Sequence, residues 1–350
     1  MERATTRGPS EQDVARGAPP ATDTRETMKA AVRERYGSPD VIEVREVEKP
    51  VPEDDEILVR VRAASVNPAD WYGVTGRPVV GRVQMGLRKP KERALGVDYA
   101  GTVEAVGRNV TLFRPGDEVF GGRTGALAEY VRAREDRGVV KKPANVTFEE
   151  AAAVPVAAIT ALQGLRDKGR LQPGQKVLIN GASGGVGTFA VQIAKALGAE
   201  VTGVCSTRNV ELVRSLGADH VVDYTQEDFT RSDQRYELML DVAGSRSWSE
   251  GRRVLRPEAT VVIVGAPKGG RLLGPIRRIA KLRLAAVRGS QKVVFFMARF
   301  NKPDMEVLRE LLETGKVKPV IDRRYELSEI ADAFHYLGEG HCRAKVVITV

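Results

Sequence analysis

The chain has 350 residues, 42% of them hydrophobic, enough for two domains of about 150 residues each with real cores. Two cysteines exclude a disulfide framework and point to a reducing compartment, read as the cytoplasm, while three scattered histidines and no Cys-x-x-Cys argue against any metal site. The net charge of +9 gathers between Lys268 and Lys292, which hold eight basic residues, no acid and no interleaved aromatics; that excludes nucleic acid as a partner, and the leucines and isoleucines among them leave peripheral membrane contact through 268–292 open.

Residues 1–27 are polar, with Gly, Pro, Thr and mixed charge, and read as a disordered extension. Glu2, Glu11, Asp13, Asp23 and Glu26 argue against a transit peptide. From Met28 the pattern is β-rich: Met28 to Glu34, Ile42 to Glu48 and Glu56 to Ala64 read as strands, the last alternating between apolar and charged positions. Ser65 to Asp70 reads as a turn, because Pro68 stops a ladder and Asn67 and Asp70 favour local hydrogen bonds. Gly76 to Pro90 is a basic loop. Strands follow at Gly96–Gly107, Glu118–Phe120 and Ala126–Val131, with the turn Arg114-Pro-Gly-Asp117 among them. So many short strands predict a mostly antiparallel, barrel-like domain.

Near Phe148 the composition changes. Glu149 to Leu165 reads as an alanine-rich helix interrupted at Pro155, and strands then alternate with helices: Val177–Asn180, Val186–Leu197, Val201–Cys205, Val210–Leu216, Val221–Asp223, Leu238–Val242, Trp248–Leu255, Thr260–Val264. That order predicts a doubly wound parallel Rossmann sheet and an α/β fold. Val293–Met297 reads as an edge strand of the same sheet, Asp304–Thr314 as a helix and Lys345–Val350 as a terminal strand.

Between the strand at Val177 and the helix at Val186 lies Gly181-Ala-Ser183-Gly184-Gly185-Val186-Gly187. A strand, a glycine turn and a helix form a dinucleotide cradle: the missing side chains admit a pyrophosphate, and the helix start offers free N–H groups and partial positive charge. Such folds usually put an acid after the second strand to hold the ribose 2′-hydroxyl. Here Ser206-Thr-Arg208-Asn209 follows that strand with no carboxylate, and a hydroxyl beside a guanidinium suits a 2′-phosphate, so the cofactor is read as NADP(H). Tyr224, after the next strand, flanks the same corner.

Several segments together resemble the medium-chain dehydrogenases/reductases, closest to the zinc-free quinone oxidoreductases. They are Ala63-Ala-Ser-Val-Asn-Pro-Ala-Asp-Trp-Tyr72, Leu95-Gly-Val-Asp-Tyr-Ala-Gly-Thr-Val-Glu-Ala-Val-Gly107, Pro115-Gly-Asp-Glu-Val-Phe120, Ala126-Leu-Ala-Glu-Tyr-Val131, Asn180–Gly187 and Arg343-Ala-Lys-Val-Val-Ile348. The resemblance implies a GroES-like domain from 28–151 plus 301–350 and a Rossmann domain from 152–300. Zinc-dependent relatives carry cysteine where Asn67 stands, Gly-His-Glu where Gly96-Val97-Asp98 stands, and a four-cysteine lobe where this chain has Gly121 to Leu127. Without those ligands, Lewis-acid activation of an alcohol is lost.

The resemblance therefore implies hydride transfer from NADPH to a small hydrophobic quinone or α,β-unsaturated carbonyl. A zinc-free alcohol dehydrogenase or aldehyde reductase and a low-turnover redox sensor are the competing readings. By the same resemblance Asn67 and Tyr72 line the position of the substrate oxygen as hydrogen-bond donors, Asp98 is a structural acceptor, and Thr160, Ala243, Gly265 and Lys345 border the cofactor. It also implies a homodimer, with Val293–Met297 as a pairing edge.

Overall fold

Among the described residues, six parallel strands form one sheet, in the spatial order His220–Asp223, Glu200–Cys205, Lys176–Asn180, Tyr236–Asp241, Leu255–Ile263 and Lys292–Phe295. The computed structural model describes residues 26–77, 79–264 and 290–350. The chain starts this sheet in its middle and winds first one way and then the other. The end of Lys176–Asn180 therefore lies at the switch point, where α/β sheets bind their ligands. Its buried Val177, Leu178 and Ile179 explain the apolar run: both faces are covered by helices.

A second sheet is mostly antiparallel. Its order is Ile321–Glu326, Lys345–Thr349, Glu56–Val66, Asp98–Val106, Glu118–Gly122 and Val139–Lys141, with Tyr130–Arg134 also paired to Glu56–Val66. Thr27–Arg33 and Ile42–Glu48 form a separate antiparallel pair. The fold is thus α/β with a Rossmann sheet and a GroES-like part, as the sequence predicts.

One hydrophobic core crosses from sheet to sheet. Ala63, Ala100, Phe120 and Val140 from the antiparallel sheet join Val177, Ile179, Leu238 and Leu240 from the parallel one, through helices Phe148–Ala152 and Pro155–Leu162. Those helices are alanine-rich for a reason: Ala151, Ala152, Ala157, Ala158 and Ala161 are all buried, and small side chains let two sheets close on one layer of helix. Helices Gly185–Ala196 and Lys302–Glu313 pack against Pro155–Leu162.

Several elements differ from expectation. Ser65–Asp70 is not a turn. The strand runs on to Val66, and a helix occupies Pro68–Thr75. Asn67 is its N-cap, Pro68 its first residue, and Asp70 closes a capping box, so the proline that ends a ladder here opens a helix. The alanine-rich helix is two helices followed by a π-helical turn, Gln163–Lys168. Strand Ile321–Glu326 and helix Ile330–Glu339 were not foreseen. The expected 1–27 extension lies, but for its last two residues, outside the described residues, as does most of the basic stretch 268–292.

Candidate active site

Strand Glu56–Val66 hands over to helix Pro68–Thr75 at Asn67, and buried polar groups collect there. The Asn67 side-chain amide donates to Asp98 Oδ2 at 2.9 Å, and its carbonyl accepts from the Lys345 ammonium at 2.6 Å. Lys345 also donates to Asp98 Oδ2 at 3.1 Å, and Ser65 Oγ donates to the same oxygen at 2.9 Å. Asp98 Oδ1 accepts from the Val156 amide at 2.9 Å, in the first turn of helix Pro155–Leu162, where the helix dipole favours an anion. Asp98 is 0% exposed and Lys345 3%, so this is a buried ion pair, matched by four donors to the carboxylate.

The resemblance implies that the Asn67 amide donates to a substrate oxygen. Its carbonyl is held by Lys345 and one amide hydrogen by Asp98, so only the other amide hydrogen remains. Asp70 Oδ2 accepts from the Asn67 backbone amide at 2.9 Å. Burial, and next the charge of Asp98, push the Asp70 carboxyl up to about 7. Tyr72, half-buried on the same helix, stands edge-on to Trp71 with ring centres 5.6 Å apart. Burial raises its phenol above the usual range, and among the described residues its hydroxyl has no hydrogen-bond partner.

The glycine turn divides its tasks. Gly181 has φ +94°, a left-handed conformation that suits glycine. A Cβ on Gly187 would lie 2.1 Å from Gly181 O and 2.8 Å from Ala182, so this glycine lets the helix seat on the turn. Gly184 is different: a Cβ there would meet nothing nearer than Gly181 O at 3.6 Å, so its outer side is open. That open cradle at the start of the 12-residue helix Gly185–Ala196 fits a pyrophosphate. Val186 is partly buried against the core. Ala243 borders the turn, since a Cβ on Gly181 would touch its nitrogen at 3.1 Å.

The turn and the buried cluster meet through the terminal strand. Ala344 pairs with Gly184, its amide donates to Ser183 O at 2.8 Å, and the Lys345 stem lies 3.3 Å from where a Gly185 Cβ would be. Lys345 thus touches the cradle with its methylenes and Asn67 with its ammonium. Thr160 donates its hydroxyl to the Val156 carbonyl at 2.7 Å, and Gly265 lies outside the described residues.

At the far corner, Arg208 is exposed and donates to the His341 carbonyl at 2.5 Å. The Asn209 side-chain amide donates to both Ser183 Oγ and Ser206 Oγ, each at 3.1 Å. Tyr224 is 54% exposed, and its amide donates to Cys205 O at 3.0 Å. The sequence reading found no acid after the second strand, yet the parallel neighbour brings Asp223 beside Cys205. That carboxylate is already occupied by Thr207 and Thr225, which hold its pKa down.

A family model described as the alcohol dehydrogenase GroES-like domain matches residues 53–144, and one described as zinc-binding dehydrogenase matches 216–348. A mouse protein named NAD(P)H oxidoreductase RTN4IP1, mitochondrial, is 34% identical over 94% of this chain and 91% of its own length. The chain belongs to the medium-chain dehydrogenase/reductase family, in its quinone-oxidoreductase-like group. This medium-chain reductase is an oxidoreductase that uses a nicotinamide cofactor. It is similar to a tomato 2-methylene-furan-3-one reductase (33% identity, 92% of this chain, 79% of that one) and to a spinach chloroplastic quinone-oxidoreductase homolog (33%, 89% and 95%). Among solved structures it resembles the quinone oxidoreductase from Coxiella burnetii, with a TM-score of 0.80 and 27% identity over 93% of this chain and 100% of that one.

Two points follow for this reductase. Zinc, named in one family description, does not fit the donor set around Asn67: the Lys345 ammonium is bonded to the very oxygens a cation would need. Among the described residues, no three His, Cys, Asp or Glu side chains are grouped to hold a metal. The cytoplasmic expectation is corrected, because the mouse and spinach relatives are named mitochondrial and chloroplastic. A lack of disulfides separates reducing from oxidising compartments, and does not separate one reducing compartment from another. No helix among the described residues is long and apolar enough to cross a membrane.

Proposed function

We propose that this reductase reduces quinones or α,β-unsaturated carbonyl compounds with NADPH and without a metal. The reading rests above all on the junction at Lys345, where a phosphate cradle abuts a buried polar cluster that has an ammonium in place of a metal. The names of the tomato and spinach relatives supply the substrate class.

When bound, the reduced nicotinamide supplies the hydride. Gly181, Gly184, Gly185, Val186 and Gly187 hold the pyrophosphate on open backbone and helix amides. Ser183, Ser206, Arg208 and Tyr224 receive the 2′-phosphate end, where hydroxyls and a guanidinium outnumber the single, already bonded Asp223. Thr160, Ala243 and Lys345 border the remainder. Tyr72 keeps its proton, because burial holds the phenol neutral, and donates to the substrate oxygen as negative charge develops there. Asn67 adds its remaining amide hydrogen, and the bond from Lys345 fixes which way that amide faces. The exposed edge around Lys292–Phe295, with Met297 beside it, serves in this reading as the contact between two copies.

Loss of the near-ultraviolet absorbance of reduced nicotinamide tests the proposal, with NADPH or NADH against a benzoquinone, an enone and a simple aldehyde. Faster oxidation of NADPH by the quinone or the enone is expected. Equal use of NADH removes the cofactor assignment, and turnover of simple alcohols only when zinc is added removes the metal-free mechanism.

A further inference from the structure

Asn209 is 5% exposed, and its role was not foreseen from the sequence. It sits three residues after Ser206, beneath the corner where Rossmann folds receive the ribose 2′ group. Both hydrogens of its side-chain amide are spent, one on Ser183 Oγ and one on Ser206 Oγ. Its Oδ1 is buried and has no partner. A buried amide oxygen left unbonded is costly, so the two bonds to the serines are what hold the amide in this orientation. Turning the amide over would leave two donor hydrogens unmatched by serine lone pairs and would draw both serine protons inward.

We propose that Asn209 is a positioning residue for cofactor choice: it holds the hydroxyls of Ser183 and Ser206 as outward-facing donors, and so makes the corner accept a 2′-phosphate. This inference rests on the NADPH reading above. A serine hydroxyl has one proton and two lone pairs. Because each serine accepts from Asn209, each keeps its proton for a ligand, and among the described residues neither hydroxyl donates to anything else. A phosphate offers only acceptors at full ionisation, whereas a ribose 2′-hydroxyl also seeks an acceptor. Two fixed O–H donors beside Arg208 therefore match the phosphate. Asp223, the nearby acid, is engaged by Thr207 and Thr225 and does not compete for the serine protons. The two serines come from different segments, one in the glycine turn and one after the second strand. Asn209 is what joins them into one site.

The test is equilibrium binding of NADPH and NADH to the full chain, by calorimetry, with thermal unfolding of each variant without cofactor as the check on folding. Asn209→Leu removes both amide donors without adding charge. It is expected to weaken NADPH about tenfold, the size of one hydrogen bond to a charged group, and to leave NADH within about threefold. In a Ser183→Ala/Ser206→Ala background the same substitution is expected to change NADPH binding by less than about twofold, because the groups it acts through are gone. Equal loss of both cofactors, or equal loss of NADPH in both backgrounds, overturns the proposal. Should the leucine variant not fold, Asn209→Asp carries the test. It has the same shape but only accepts, and it must lose NADPH more than about tenfold while keeping NADH; unchanged preference overturns the proposal. If the unaltered chain binds NADPH no tighter than NADH, the cofactor reading itself fails and this inference with it. If that preference is present and Asn209→Leu does not reduce it, only this inference fails.

Discussion

Replacing Lys345 by methionine would strand the Asp98 carboxylate in the interior, 0% exposed. At 3.1 Å and an effective dielectric constant near 20, the lost attraction is about 5 kcal/mol. Asp98 would keep Ser65, Asn67 and the Val156 amide as donors, so the expected cost lies toward the lower end of the roughly 3–5 kcal/mol seen when one partner of a buried pair is removed. Methionine is close to lysine in length and keeps an apolar stem beside Gly185. Asp98→Asn alone would leave the ammonium, still bonded to the Asn67 carbonyl, buried without a counter-charge and is expected to cost a similar amount. The double variant buries no charge, and its loss should fall well short of the two single losses added together. Urea unfolding of the four proteins measures this. If the double variant equals the sum of the singles to within about 0.5 kcal/mol, Lys345 and Asp98 are not an interdependent pair and the account of the cluster is wrong.

Tyr72→Phe is expected to lower turnover at least about tenfold while changing NADPH affinity little, as befits a proton donor; unchanged turnover would remove Tyr72 from the mechanism. Asp70 titrates near 7 in the fold, above its unfolded value, so its contribution to stability is present below the ordinary carboxylate range and is lost as pH rises through 7. Asp70→Asn can still accept from the Asn67 amide, and its melting temperature should fall less than that of the unaltered chain between about pH 4 and 7, the window that shift defines; parallel pH profiles would contradict this. Gly184→Val should fold normally and fail to bind either dinucleotide in calorimetry, because the methyls fill only the open cradle. Gly187→Ala should lower the melting temperature even without cofactor, since its Cβ would strike backbone at 2.1 Å.

The parallel sheet was readable because buried strands and covering helices leave unlike hydrophobic periods, and the glycine turn marks their switch point. Helix Pro68–Thr75 was not, because Pro68 looks the same whether it ends a ladder or opens a helix; the Asn67 and Asp70 that flank it were the signal. The resemblance implies only a cofactor-bordering place for Lys345. Its ammonium meets Asn67 and Asp98 across 278 and 247 residues of sequence, a distance that local pattern does not bridge. Asn209 stands beside the more conspicuous Arg208, and only its three-residue spacing from Ser206 marks it in the sequence. The compartment is not legible in cysteine content, which reports redox state and not address.

The bond from the Ala344 amide to Ser183 O is one of the ties between the two sheets, beside the core they share, with Ala344 held at φ +71°. A rotation of one sheet against the other must either turn about that fastening or tear it.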